Sequence, residues 1–297
     1  MENFASKVLT LAWRGSGLEA ALAGPAWPMD HGLLRGWGVF ETMLGVGAAV
    51  PLWPKHWARL QFGARRLRIP LPSEQVFRDA IIQLFNQARG AAEVRPSPTF
   101  SRVRLTVTAG SSEVWSNPGA ECHCVLSAAP WGAPQPMSEQ AGLQLLTYPE
   151  AFSISPALIG CKHTSFLPWI MAAQYAGGQG RDDAVLLNSN GEVIETSHRN
   201  LFVWKDSQLW TPPLSSGCLP GIMRSMVLEI ANQLGMPVVE SPLRVRDCRE
   251  ATHMFLTSAL GMCQIVRSWE GHSFAATALP ETLELLEAKL RGAVLVA

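Results

Sequence analysis

The chain has 297 residues, of which 47% are apolar and 16% charged, and its formal net charge is zero. A chain of this length can bury a large core, and we expect it to form two domains. The zero net charge predicts no bulk attraction to nucleic acid or to an anionic membrane, and no apolar run is long enough to span a bilayer. The composition therefore predicts a compact soluble protein that binds neither.

The six cysteines are scattered along the chain at Cys122, Cys124, Cys161, Cys218, Cys248 and Cys263. A chain of this size does not need disulfides, and its first residues lack the pattern of a secretory signal, so we expect reduced thiols in a cytoplasmic protein. The stretch "ECHCVL" at 121–126 brings two cysteines and a histidine together. Its spacing is not that of a zinc knuckle and no second ligand pair follows, so we expect a strand there and no metal site.

Short apolar runs and two longer amphipathic patterns make up the first part of the chain. The expected elements are a strand pair over 36–53 with a turn near Gly45 and Gly47, helices over 54–69 and 73–90, and strands over 101–110 and 121–130. The segment "PWGAPQP" at 130–136 contains three prolines and a glycine and is the best candidate for a linker. We therefore predict a smaller N-terminal α+β domain over 1–130 and a larger C-terminal α+β domain over 131–297.

Strand and helix patterns alternate in the second part as well. The expected elements are a strand over 141–149, a helix over 164–180, a three-stranded meander over 182–213 with turns at Asn190–Gly191 and Lys205–Asp206, a helix over 221–235, a strand over 237–243, a short helix over 246–253, a bent strand over 254–266 and a closing helix over 280–292.

Lys162 lies in "SPALIGCKHTSFLPWI", residues 155–170, a run made largely of apolar or small residues, where a strand gives way to a helix. Two structural explanations are that its ammonium reaches water along its own stem or pairs with a carboxylate. A buried ammonium also tends to lose its proton, and the free amine can then attack a carbonyl, as a Schiff-base lysine does. Both kinds of explanation remain open from this run alone.

Further stretches hold groups that suit Schiff-base chemistry. Glu195 in "GEVIETSHRNLF" follows an apolar strand, where a buried carboxylate would need a cationic partner. Gly221 in "LPGIMRSMVLEI" precedes a helix whose first N–H groups can hold a phosphate, and Arg59 in "HWARL" can meet such an anion. The stretch "TSAL" at 257–260 adds a hydroxyl and N–H groups. Each also has an ordinary structural explanation, but together they supply the amine, carboxylate and anion cradle that pyridoxal 5′-phosphate needs.

The motifs "GWGVFET", "HWARL", "GCKHTSFLP", "GEVIETSHRNLF", "LPGIMR" and "FLTSALG", in this order, resemble those of the fold-type IV pyridoxal-phosphate enzymes, the class IV aminotransferase family. The resemblance runs from about Asp30 to Val266. It implies two α+β domains of the D-amino-acid aminotransferase type, with the cofactor at the domain interface, usually in a homodimer. It also implies site residues: Lys162 as the catalytic Schiff-base lysine, Glu195 at the pyridine nitrogen, Leu219 against the ring, and Arg59, Ile222, Met223, Ser258 and Ala259 around the phosphate.

Details within the motifs favour 4-amino-4-deoxychorismate lyase, which releases pyruvate and 4-aminobenzoate for folate biosynthesis. A histidine follows Lys162 directly, Met223 stands where transaminases more often have threonine, and Phe166 offers no phenol near the lysine. The alternative is a branched-chain or D-amino-acid aminotransferase on the same fold. A third hypothesis, a binding protein without catalysis, rests on two alanines: Ala109 stands where relatives often carry an arginine, and Ala259 replaces a hydroxyl residue. Arg102 or Arg104 could substitute for that arginine.

Overall fold

The computed structural model describes residues 9–14, 17–20, 30–90, 100–276 and 278–295. The chain divides into two compact units, of which the first contains the described residues up to Ala133 together with Cys161–Ser165, and the second contains the rest. The division after Ala133 lies within the predicted linker, close to the predicted boundary after residue 130. Treating the two units as separate folding domains stays a prediction.

The segment Cys161–Ser165 differs from the prediction, which assigned Lys162 to the C-terminal domain. It groups with the first unit because backbone hydrogen bonds join it to a strand there. The N–H of Phe40 donates to the carbonyl of Lys162 at 2.9 Å, and the N–H of Thr164 donates to the carbonyl of Gly38 at 2.9 Å. The catalytic lysine candidate is therefore carried by an extension of the first unit's sheet.

The first unit is an antiparallel sheet with three helices. Its strands are β1 (Leu9–Arg14), β2 (Gly17–Ala20), β3 (Gly38–Val46), β4 (Phe100–Thr108) and β5 (His123–Pro130), in the order β2-β1-β5-β4-β3. Its helices are α1 (His31–Arg35), α2 (Trp53–Arg66) and α3 (Glu74–Gly90). Alternate residues of β4 are buried, and Val103, Leu105 and Val107 share one core with residues of α2 and α3. This alternation is the period-two pattern predicted for 101–110.

The strand pair predicted over 36–53 is wrong. Residues Gly38–Val46 form one nine-residue strand, which ends in a turn at Gly47 and a single bridge between Val46 and Ala49. A second strand cannot continue from there because Pro51 has no N–H to donate to a ladder and α2 begins at Trp53. The chain therefore passes from β3 almost directly into the helix that carries Arg59.

The second unit is built on a mixed sheet of nine strands. They are β6 (Leu143–Thr147), β7 (Asp183–Leu187), β8 (Val193–Thr196), β9 (Asn200–Lys205), β10 (Gln208–Thr211), β11 (Val238–Glu240), β12 (His253–Ser258), β13 (Met262–Trp269) and β14 (His272–Ser273). Their order is β11-β10-β9-β12-β13-β6-β7-β8, and β14 pairs with β13. The unit's helices are α4 (Leu167–Gly178), α5 (Ile222–Gln233), α6 (Val245–Arg249) and α7 (Glu281–Leu295).

Two predicted strands of this unit are each divided in the structure. The middle strand of the meander is interrupted at residues 197–199, so that β8 pairs with β7 while β9 pairs with β10 and β12. The bent strand predicted over 254–266 is the hairpin of β12 and β13. These breaks matter for the site, because Glu195 and Asn200 flank the first and Ser258 precedes the second.

Asp183 fixes the interruption between β8 and β9. Its side chain is buried, and its Oδ1 accepts from the N–H and the hydroxyl of Ser197 at 3.1 and 2.6 Å. Its Oδ2 accepts from Thr196 Oγ1 at 2.8 Å and from Arg199 Nη1 at 2.5 Å. Burial alone would raise the pKa of Asp183, but the charges of His198 and Arg199 and the hydroxyl donors outweigh it and lower this pKa. The ionised carboxylate therefore organises the turn that separates Glu195 from Asn200.

Replacing Asp183 by asparagine should destabilise the protein by about 3 kcal/mol, because it leaves the largely buried Arg199 without its counter-charge. Urea denaturation measures this change in the free energy of unfolding. The control is Asp182→Asn, since Asp182 is exposed and its carboxylate accepts from the backbone N–H of Gln144 at 2.7 Å. Equal stability of the two variants would contradict the role given to Asp183.

Candidate active site

Lys162 lies in an extended segment and not at the start of a helix as the sequence suggested, because α4 begins only at Leu167. The preceding Gly160 has φ +80°, which lets the chain turn toward β3. The Lys162 side chain is half-buried, and its Nζ lies 4.5 Å from the centroid of the Phe40 ring. An aromatic face attracts a cation at this distance, so Phe40 holds the amine in place.

Arg104 reaches the same aromatic ring from the neighbouring strand. Its Cζ lies 3.9 Å from the centroid of Phe40, and its Nη1 lies 3.4 Å from Thr42 Oγ1. Burial and the charge of Arg102 lower the pKa of Arg104. Arg102, two residues before it on the same face of β4, is exposed and lies over Trp131 at 5.9 Å. Of the two arginines that sequence reasoning left open, the structure brings only Arg104 to the ring that Lys162 contacts.

Arg59 is buried on α2 and is bound by a carboxylate of β3 that the sequence analysis did not single out. Its Nε and Nη2 donate to the two oxygens of Glu41 at 2.8 and 2.6 Å. His56, one helical turn before it, lies with Nδ1 2.7 Å from Glu41 Oε2. The guanidinium is thus held in one orientation inside the first unit.

Glu195, near the end of β8 in the second unit, is 5% exposed, and N–H donors approach both of its oxygens. Trp169 Nε1 donates to Oε1 at 3.3 Å, while Asn200 Nδ2 and the N–H of Leu219 donate to Oε2 at 3.2 and 3.1 Å. The buried carboxylate is therefore the acceptor in a defined network, and Leu219 is connected to it by its backbone. The alternative of a strand-end carboxylate facing water is excluded.

Asn200 links this carboxylate to the start of α5. Its Nδ2 also donates to the carbonyl of Leu219 at 2.9 Å, and a Cβ placed on Gly221 would lie 1.9 Å from its Oδ1. Gly221 is the N-cap of α5, and no side chain of the described residues caps this helix. The first N–H groups of the helix, including those of Ile222 and Met223, have no partner within the helix itself. Helix starts of this kind bind anions.

Thr257 lies directly opposite Asn200 in the pairing of β9 and β12, so the two side chains share one face of the sheet. The Thr257 side chain is buried, and within the described ranges its hydroxyl makes no hydrogen bond. The next residue, Ser258, uses its Oγ to accept from Gly261 N at 3.0 Å in the turn that contains Ala259. A buried hydroxyl without a protein partner is uncommon and indicates a ligand or water contact.

Several of these residues could not be singled out from the sequence. Glu41 lies in "GWGVFET" and Thr257 in "FLTSALG", both motifs that carry the family resemblance, whereas Trp169 and Asn200 had no signal beyond their donor side chains. Ala109, which lacks the arginine of some relatives, is fully buried in the core of the first unit.

No metal centre is evident in the part of the chain that the structure describes. No three His, Cys, Asp or Glu side chains there come together as a metal-binding group. The thiols of Cys122 and Cys124 lie 3.7 Å apart within the core of the first unit. Likewise, no described helix has both the length and the apolar character needed to cross a bilayer.

Comparison with known proteins assigns the family. Residues 38–269 match the model of amino-transferase class IV, so the chain belongs to this family, and the fold-type IV expectation is confirmed. The branched-chain-amino-acid aminotransferase of Salmonella typhimurium is 26% identical over 82% of this chain and 79% of its own. The crystal structure of 4-amino-4-deoxychorismate lyase from Pseudomonas aeruginosa is 27% identical, with a TM-score of 0.76 over 91% of this chain and 95% of its own.

A third similar structure has a cofactor derivative bound. It is a branched-chain amino acid aminotransferase from T.th. complexed with N-(5′-phosphopyridoxyl)-L-glutamate, at 22% identity and a TM-score of 0.80, covering 96% of this chain and 94% of its own. Pyridoxal phosphate is the cofactor of the class IV family. The relatives include both lyases and aminotransferases, so the family assignment establishes the class of enzyme but not the reaction.

Gly221→Ala should lower the melting temperature, because the new methyl group would displace Asn200 from its hydrogen bonds to Glu195 and Leu219. Overpacking of this kind costs about 1–3 kcal/mol. Thermal unfolding measures the shift. Gly177→Ala near the end of α4 is the matched control, since its added methyl group meets no atom of the described residues within 4 Å. If both variants melt together, Gly221 is not required by the close approach of Asn200.

Proposed function

We propose that this protein is a pyridoxal-phosphate-dependent 4-amino-4-deoxychorismate lyase that releases pyruvate and 4-aminobenzoate. The observation that carries the proposal is that one class IV chain contains both a half-buried amine held against an aromatic ring, Lys162, and a buried carboxylate held by three N–H donors, Glu195. We also propose a cytoplasmic homodimer, which the family resemblance implies.

The second unit offers groups that fit the phosphate of the cofactor. The buried hydroxyl of Thr257 lacks a protein partner in the described ranges, and within those ranges no side chain caps α5. Both features suit an anion that accepts hydrogen bonds. We assign to the phosphate the N–H groups of Ile222 and Met223, the backbones of Ser258 and Ala259, the side chain of Arg59, and Thr257 as an addition to the residues expected from sequence.

Glu195 would face the protonated pyridine nitrogen, and Leu219 would lie against the ring. The N–H donors that surround Glu195 favour its anionic form, and an anion there keeps the pyridine nitrogen protonated. Bound pyridoxal phosphate supplies an electron-withdrawing ring conjugated to the substrate nitrogen. Glu195 thus maintains the charge on which that withdrawal of electrons depends.

Lys162 would hold the cofactor through its Nζ and, once released by the substrate amine, move protons. In its neutral form the amine can remove the proton from the substrate carbon next to the nitrogen. In its ammonium form it can return a proton to the departing enolpyruvyl group, which becomes pyruvate. Formation of the aromatic ring of 4-aminobenzoate favours this direction of reaction.

Arg104 would bind a carboxylate of the substrate. It is the arginine that shares the Phe40 ring with Lys162, and its guanidinium is oriented by that ring and by Thr42. The substrate aminodeoxychorismate carries carboxylates, and guanidinium groups bind carboxylates with two parallel hydrogen bonds. This assignment fills the role that the buried Ala109 cannot take.

Two residues of the motifs favour the lyase over an aminotransferase. Phe166, four residues after Lys162 in the chain, supplies no phenol and instead stacks on Trp169, with ring centroids 4.9 Å apart. Met223 puts an apolar side chain where transaminases more often have a hydroxyl. The second candidate, a branched-chain aminotransferase, is supported by relatives such as that of Salmonella typhimurium.

Product analysis tests the lyase. The purified protein with pyridoxal phosphate should convert aminodeoxychorismate to pyruvate and 4-aminobenzoate without an added keto acid, and Lys162→Ala should abolish the reaction because no amine remains to move the proton. Amino-group transfer that requires a keto acid, with no 4-aminobenzoate formed, would instead establish the aminotransferase. A colourless protein that takes up no cofactor would overturn both in favour of a binding protein.

The two arginines of β4 give a matched test of substrate binding. Arg104→Ala should raise KM for aminodeoxychorismate by roughly 10- to 100-fold, the range expected when a charge-assisted hydrogen bond is lost. Arg102→Ala should leave KM near that of the wild type, because Arg102 is exposed and lies over Trp131. Steady-state kinetics on both variants measures the difference. An equal effect of the two substitutions would contradict the assignment.

A further inference from the structure

We infer that Glu41 is a positioning residue that fixes the guanidinium of Arg59 for the cofactor phosphate, with His56 as its second donor, an inference that rests on the proposed function. Glu41 lies on the core face of β3, opposite Leu105 of β4. A carboxylate on that face is unexpected, because the neighbouring inward residues are apolar. Its presence calls for a reason beyond packing.

The contacts of Glu41 account for both of its oxygens. Arg59 spans them with Nε at 2.8 Å from Oε1 and Nη2 at 2.6 Å from Oε2, a bidentate pair. His56 lies with Nδ1 2.7 Å from Oε2. His56 and Arg59 are three residues apart on α2 and therefore project from one side of the helix toward β3. The carboxylate thus connects one strand to two polar side chains of one helix.

Charge at this triad is well defined. Burial opposes ionisation of Glu41, but the charge of Arg59 and the hydrogen bonds from Arg59 and His56 outweigh it and lower the pKa of Glu41 to about 2. Burial also lowers the pKa of His56, which outweighs the opposing effect of Glu41, so the imidazole is neutral. A neutral imidazole facing an ionised carboxylate must donate from Nδ1. The triad therefore keeps one protonation state from mildly acidic to neutral pH.

This arrangement fixes the direction of the guanidinium. Glu41 engages two of the five N–H groups that a guanidinium carries, and it sets the plane in which the others lie. A buried arginine without such a partner would have to reorganise before it could meet an anion. Since a ligand-binding group held in advance loses less freedom on binding, Glu41 should strengthen binding of the phosphate without touching it.

The test compares two aldehydes that differ in one group. Pyridoxal phosphate and pyridoxal bind the same amine, but only the former has the phosphate that Arg59 would meet. Dissociation constants of both are measured by absorbance on the full-length apoprotein, for the wild type and for Glu41→Gln. We expect Glu41→Gln to weaken binding of pyridoxal phosphate by roughly 10- to 100-fold, as loss of an outer-shell partner does, and to leave binding of pyridoxal unchanged.

Two controls accompany this measurement. Glu74→Gln removes a carboxylate from the partly exposed pair with Arg78 on α3 and should change neither constant. The double variant Glu41→Gln, Arg59→Ala should bind pyridoxal phosphate no more weakly than Arg59→Ala alone, because residues that act through one another are not additive. Full additivity would place the effect of Glu41 outside Arg59 and overturn the inference.

His56 provides a second route if Glu41→Gln does not fold. His56→Leu removes the donor, whereas His56→Asn keeps an N–H group near the position of Nδ1. We expect His56→Leu to weaken binding of pyridoxal phosphate selectively and His56→Asn to restore part of the loss. An unchanged ratio of the two dissociation constants in every variant would overturn the positioning role alone. A wild-type protein that binds neither aldehyde would overturn the proposed function itself.

Discussion

A carboxylate in a protein interior must be supplied with hydrogen-bond donors, and the second unit is arranged around this requirement. Glu195 receives donors from α4, from β9 and from the chain that leads into α5. Asp183 fixes the turn between β8 and β9, so that Glu195 and Asn200 lie on opposite sides of one short reversal. The same asparagine contacts the start of α5, and in this way the acid and the helix start are positioned together.

The class IV family contains enzymes that break a side chain from the substrate and enzymes that transfer its amino group. Both reactions use an amine, a carboxylate and a phosphate site, which explains why residues such as Lys162 and Glu195 cannot distinguish them. The distinction depends on the groups that face the substrate. In this chain those candidates are Arg104, whose guanidinium lies over Phe40, and Phe166, which stacks on Trp169 in place of a phenol.

Much of the secondary structure could be predicted because the patterns are local. The amphipathic periodicity of 54–69 and 73–90 and the alternation of 101–110 correspond to α2, α3 and β4. The break at 197–199 could not be predicted, since it depends on Asp183, which is distant in sequence. Glu41 and Thr257 were equally hidden, because a strand pattern does not tell which polar side chain on a strand will be buried.

The backbone pairing of Lys162 with β3 has an evolutionary consequence. Main-chain hydrogen bonds at Phe40 and Thr164 and the bridge between Val39 and His163 hold this segment, and none of them requires a particular side chain. The reactive amine can therefore keep its place while the residues beside it diverge. A scaffold with this property can acquire new substrates by changing the lining of its pocket, without rebuilding the part that carries out the chemistry.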